Sequence, residues 1–194
     1  MTAVTVLADD LTGALDTGVQ FAGGGRTVRA IWRRGAREAD VVIADTETRG
    51  APAHTAARVA ADWARTAKGQ VYKKIDSTLR GPFAAEARAV AGILGKKGAL
   101  VAPAFPGAGR TVVDGVLLVH GIPVHEAGFA QDPGSPVTES LVAAVVERQA
   151  GGPVGRLRLS EVRQGAVAVA AALERRRGFV IADAETGADL GTLA

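Results

Sequence analysis

Residues 71–82 read VYKKIDSTLRGP and gather two ammonium groups (Lys73, Lys74), a carboxylate (Asp76), two hydroxyls (Ser77, Thr78) and a guanidinium (Arg80). A short β-type run over 71–75 hands over to this cluster. Gly81-Pro82 follows, where a helix can begin, since proline suits the first helical turn. A small anionic, hydroxylated ligand needs such a set of groups, and in open α/β sheets ligands settle at the carboxyl ends of strands. The structural alternative is a solvated strand-to-helix loop whose Ser77 and Thr78 only cap the helix.

Two further places carry chemistry of the same kind. Asp9 and Asp10 directly follow the apolar run 4–8. Adjacent carboxylates at the end of a buried strand repel each other, which calls for a ligand, a metal or a basic partner such as a nearby Arg. Arg49 closes the polar stretch 45–50 behind another apolar run, 41–45. Its planar fork suits a carboxylate gripped by two hydrogen bonds, with a salt bridge to Asp45 or Glu47 as the alternative.

These groups need a scaffold, and the rest of the chain supplies it. Strands are expected over 4–8, 27–31, 41–45, 71–75, 99–102, 156–159 and 179–182. Helices are expected between them. The first is capped by Thr12 with Leu15, Val19 and Ala22 inward. The second spans 53–66 with Trp63 in the core, and the third 82–94 with Phe83 and Val90 buried. A loop covers 33–40, and later helices cover 138–149 and a segment capped by Ser160 and closed by Gly178. Glycine-broken β pieces between 111 and 125 read as a small antiparallel excursion. The alternation of strand and helix predicts a three-layer α/β/α domain with a largely parallel sheet.

Composition sets the outer limits. Hydrophobic residues make up 47% and aromatics 4%, so the core is aliphatic and alanine-rich. Arg supplies 18 of the 23 basic residues, dispersed apart from Arg175–Arg177, which argues against nucleic-acid binding. There is no Cys, which excludes disulfides and a thiol nucleophile and fits a cytoplasmic protein. No apolar run approaches the roughly 18–20 residues that span a bilayer, so no membrane partner is expected. His120 and His125 lack a third ligand at metal spacing, and no metal site is expected. The loop 103–110 has neither P-loop nor dinucleotide glycine spacing, so no cofactor-binding residues are assigned within the chain.

Four segments together resemble one family: VLADDLTGALDTGVQ (6–20), ADTETR (44–49), VYKKIDSTLRGP (71–82) and PAFPGAGRTVVDG…VHGIPVHEAGFAQDP (103–133). The chain resembles the four-carbon acid sugar kinases, which phosphorylate D-threonate, D-erythronate and related acids with ATP. The resemblance implies that residues 1–194 form the sugar-acid-binding N-terminal domain. It also implies that a C-terminal domain, absent from this chain, binds ATP and Mg²⁺ and completes the enzyme as its partner. It places the substrate on Asp10, Arg49, Lys74, Ile75, Asp76 and Ser77. Arg49 and Lys74 would neutralise the carboxylate, while Asp10, Asp76 and Ser77 would bind hydroxyls and Ile75 would offer main-chain groups. Asp10 is the catalytic candidate that orients or deprotonates the attacking hydroxyl, with Asp76 in reserve. Arg80 and Arg110 could approach the transferred phosphoryl or form salt bridges within the domain.

Two other readings compete. One is a stand-alone module that binds a small hydroxy acid without chemistry. The other is a Rossmann-like nucleotide-binding enzyme, against which the missing G-x-G-x-x-G after the first strand counts.

Overall fold

The computed structural model describes residues 3–31 and 39–194. Of the loop expected over 33–40, positions 33–38 lie outside them. The chain divides into two compact units, Met1–Asp76 with Gly81–Gly95, and Ser77–Arg80 with Lys96–Ala194.

The first unit contains β1 (Val4–Ala8), α1 (Leu11–Gly23), β2 (Val28–Ile31), β3 (Val41–Asp45), α2 (Ala53–Ala64), β4 (Gln70–Lys73) and α3 (Phe83–Ile93). Its four strands are parallel in the order β2-β3-β1-β4. Every residue of β1 is buried, as befits a parallel strand covered on both faces. Alternate side chains sort to opposite faces. Val4, Val6, Val41 and Ile43 pack with Ala14 and Phe21 of α1. Leu7 and Ala44 pack with Ala60 and Trp63 of α2 and Val90 of α3. The unit is thus three layers deep, with α1 on one face and α2 and α3 on the other.

The first helix departs from expectation in two ways. Its buried residues are Gly13, Ala14 and Gly18, not Leu15, Val19 and Ala22, and Leu15 is 49% and Val19 67% exposed. Close approach decides the face: a Cβ on Gly18 would sit 3.2 Å from Ile43 Cδ1. The N-cap is Asp10 rather than Thr12. Asp10 is extended, and its side chain accepts from the Gly13 amide.

The second unit holds a three-stranded parallel sheet, ordered β5-β10-β9, from β5 (Leu100–Val101), β9 (Val154–Leu157) and β10 (Phe179–Ala182). It also holds the antiparallel meander β6 (Arg110–Val113), β7 (Val116–Val119) and β8 (Ile122–Pro123). Both the mixed α/β class with parallel strands and the antiparallel excursion match the sequence reading. The parallel strands, however, lie in two sheets, because β4 pairs with β1 whereas β5 pairs with β10.

Helix α4 (Val142–Ala150) starts later than expected, since the Ser140 carbonyl accepts from Leu117 of the meander. The helix expected behind Ser160 is broken at Gly165, φ 97°, into α5 (Leu159–Val162) and α6 (Ala166–Arg175). A final helix, α7 (Gly187–Leu193), was not expected. It is capped by Thr186 and Asp189, and Asp189 is gripped by Arg163. Among the described residues no helix is long and apolar enough to cross a membrane.

The two faces of α1 and β1 make a direct test. Leu7→Ala should cost about 3 kcal/mol in urea unfolding, and Leu15→Ala should stay within about 0.5 kcal/mol.

Candidate functional site

In a parallel sheet all strands end at the same edge. β1 lies between β3 and β4, so residues 9–10, 45–49 and 74–76 emerge side by side. The chain leaves β1 for α1 on one face of the sheet and leaves β3 for α2 on the other. The gap between these two strand ends is therefore a topological switch point, where open α/β sheets open a crevice.

Main-chain bonds carry the pairing of β1 and β3 past the ends of the strands. The Thr46 amide and hydroxyl both donate to the Ala8 carbonyl at 2.8 Å. The amides of Thr48 and Arg49 donate to the Asp9 carbonyl at 3.0 and 3.2 Å. This backbone course lays the Arg49 side chain across both aspartates. Nε and Nη2 bond Asp9 at 2.9 and 3.0 Å, and Nη1 and Nη2 bond Asp10 at 2.6 and 2.7 Å. Asp76 Oδ1 stands 3.8 Å from Nη2. Arg49 therefore pairs with neither Asp45 nor Glu47. Its fork, expected to grip a ligand carboxylate, is filled by Asp9 and Asp10. Burial works against its charge, but the hydrogen bonds and charges of Asp9, with those of Asp76 and Asp10, hold its pKa above the usual value.

Lys74 approaches from the β4 side. The point a Gly13 Cβ would occupy is 2.6 Å from Asp10 Oδ1 and 3.3 Å from Lys74 Nζ. Glycine at the start of α1 thus lets a carboxylate and an ammonium converge. Lys74 Nζ donates to the Ile75 carbonyl at 2.9 Å, and Lys74 N donates to the Leu7 carbonyl. Gly81, at φ 78°, makes a second close approach, with its absent Cβ 3.3 Å from Asp9 Oδ2.

The structure thus brings Asp10, Arg49, Lys74, Ile75 and Asp76 together in the first unit, whereas Ser77 belongs to the second. Arg80 pairs with Asp132 at 3.1 Å inside the second unit, and Arg110 Nη1 bonds the Ala108 carbonyl. Nearby Asp45 is buried, and that burial pushes its carboxyl up, with Glu47, Asp10 and Asp9 adding to the rise and the Glu47 amide opposing it.

Sequence reading missed the contribution of Glu86, which is fully buried in the first turn of α3. It accepts a bond from Thr48 Oγ1, and Lys73 Nζ lies 3.0 Å from its other oxygen, an ion pair short of hydrogen-bond geometry. Its signal was readable: a carboxylate three residues after Phe83 and four before Val90 lies on the apolar stripe of its helix.

Comparison with known proteins follows the geometry. The family model for the sugar-binding N-terminal domain matches residues 4–194. The chain belongs to this family. D-Threonate kinase of Salmonella typhimurium is 38% identical over 199 residues, which cover 97% of this chain and 47% of that protein. D-Erythronate kinase of Heliobacterium modesticaldum is 38% identical and is matched over 100% of this chain and 48% of its own length. 3-Oxo-tetronate kinase of Methylobacterium radiotolerans is 35% identical over 98% and 49%. The chain spans about half the length of these relatives. A Bordetella bronchiseptica structure from a family of unknown function, a domain-swapped dimer with bound citrate, superposes with a TM-score of 0.86 at 33% identity. It covers 98% of this chain and 49% of that one. The parallel and antiparallel sheets of the sugar-binding domain thus recur in solved relatives.

Asp9→Asn should lower stability by about 1–3 kcal/mol in chemical denaturation, because the buried amide sets an N–H donor where Arg49 needs an acceptor, although Asp10 remains as counter-charge. Gly13→Ala should cost about 1 kcal/mol through displacement of the Asp10 cap.

Proposed function

We propose that this sugar-binding domain captures a four-carbon sugar acid and presents a hydroxyl for phosphorylation by ATP, as one half of a two-domain kinase. One observation carries the reading. At the switch point Lys74 has Ile75 O as its hydrogen-bond partner, while Arg49 is committed to Asp9 and Asp10.

An ammonium has three N–H donors, so Lys74 retains donors and charge for a carboxylate. Arg49 acts differently from the sequence expectation. It offsets part of the aspartates' charge and holds the partly exposed Asp10 in position to accept a hydroxyl hydrogen. Asp10, at the rim, orients the attacking hydroxyl or takes its proton, and Asp76 binds a second hydroxyl. Ile75 lends its carbonyl. The kinase names of the relatives support the acceptor class, and the citrate in the Bordetella structure supports affinity for hydroxy acids. ATP and Mg²⁺ belong to the other half of the enzyme. The carboxylates of Asp9 and Asp10 are engaged by Arg49.

Calorimetric titration tests the reading. D-Threonate or D-erythronate should bind, and neutral threitol should bind at least about tenfold more weakly for want of a charge-assisted bond. Lys74→Met should erase that preference. Affinity for NAD or ATP without affinity for any sugar acid would overturn the proposal. In a full-length relative, substituting Asn at the position matching Asp10 should reduce kcat by about 10²–10⁴-fold. Near-normal turnover removes Asp10 from the catalytic role.

A further inference from the structure

We infer that Glu86 is a positioning residue: through Thr48 and Lys73 it holds the Arg49 loop and the Lys74 loop in fixed register with each other. The sugar-acid reading supplies what is positioned, while the geometry stands apart from it.

Glu86 is sealed from solvent, and taking a carboxylate out of water is costly. One of its oxygens accepts from the Thr48 hydroxyl and the other faces Lys73 Nζ at 3.0 Å. Each partner reaches onward. The Thr48 hydroxyl also bonds Thr46 Oγ1 at 2.7 Å, and the Thr48 amide holds the Asp9 carbonyl. Lys73 Nζ donates to the Lys74 carbonyl at 2.9 Å. One buried carboxylate is thus linked to the residue preceding Arg49 and to the residue preceding Lys74. Burial pushes the Glu86 carboxyl up, and the charge of Lys73, then the hydrogen bond from Thr48, pull it back.

Stability alone does not call for this arrangement. Well-packed apolar side chains of similar volume commonly serve as well as a buried ion pair, or better. What they cannot supply is direction, and ligand-binding groups need support that fixes their geometry closely. The charged pair sits where two site-bearing loops meet, which is where direction matters.

The test replaces both charges at once, Lys73→Met together with Glu86→Leu. The melting temperature should stay at or above that of the unmodified protein. Affinity for D-threonate and D-erythronate should fall about tenfold or more, the size seen when partners supporting a metal ligand are lost. The ratio of the two affinities should move toward equality. A folded double variant with unchanged affinity and ratio overturns the inference. If the double variant does not fold, Thr48→Val carries the test, and unchanged affinity there overturns it equally. Should the unmodified protein bind no sugar acid, the sugar-acid reading fails by itself. The Arg49 Nε–H resonance then decides: it should shift or broaden in the variants, and an unaltered signal overturns the positioning role.

Discussion

Two carboxylates at consecutive positions beyond a buried strand are the constraint around which the first unit is arranged. Asp9 is almost wholly buried and Asp10 lies beside it, so two adjacent carboxylates repel each other there and call for a nearby cation. Arg49 provides that cation from the neighbouring strand, with a pair of hydrogen bonds to each carboxylate. Such a double fork tolerates little displacement. The backbone of the 46–49 turn, bonded to the carbonyls of Ala8 and Asp9, is shaped to deliver the guanidinium at that spot. Pairing of the strands, the course of the turn and charge balance therefore form a single requirement.

The two cations of the site do different work. Arg49 is consumed internally and acts as a brace. Lys74, a compact point charge on a flexible stem, donates to the Ile75 carbonyl and is the cation that the proposed function assigns to the sugar-acid carboxylate. A planar fork suits the first task because it bonds two carboxylates in fixed directions. An ammonium suits the second because its donors swivel to whatever orientation the ligand presents. Beneath both, the Glu86–Lys73 pair places a charged contact at a level where most proteins would use aliphatic packing.

Much of this was readable in the sequence, and the failures have physical causes. Strands 4–8, 41–45 and 179–182 appear with the expected limits, because β-branched apolar runs ending in polar residues leave little choice. The aspartate pair and Arg49 stood out by type, although their mutual embrace was weighed only as the alternative to ligand binding. The inner face of α1 was misread because hydrophobic periodicity favours the larger side chains. Here the packing surface is made of Gly13, Ala14 and Gly18, whose value is their lack of bulk. The division of the parallel strands between two sheets was hidden because pattern identifies a strand but not its neighbour. Glu86 was passed over because inward positions on a helix were judged by their apolar members alone.

The thinness of that α1 face has a mechanical consequence. The helix rides on the sheet with Gly18 nearly touching Ile43, and the same helix carries Asp10 at its head. Any bulk inserted midway along the contact would tilt the rod and swing its head away from the guanidinium. Under the proposed function, ligand affinity would then become a gauge of helix-to-sheet clearance along α1, and selection on binding would reach Gly18 at that contact.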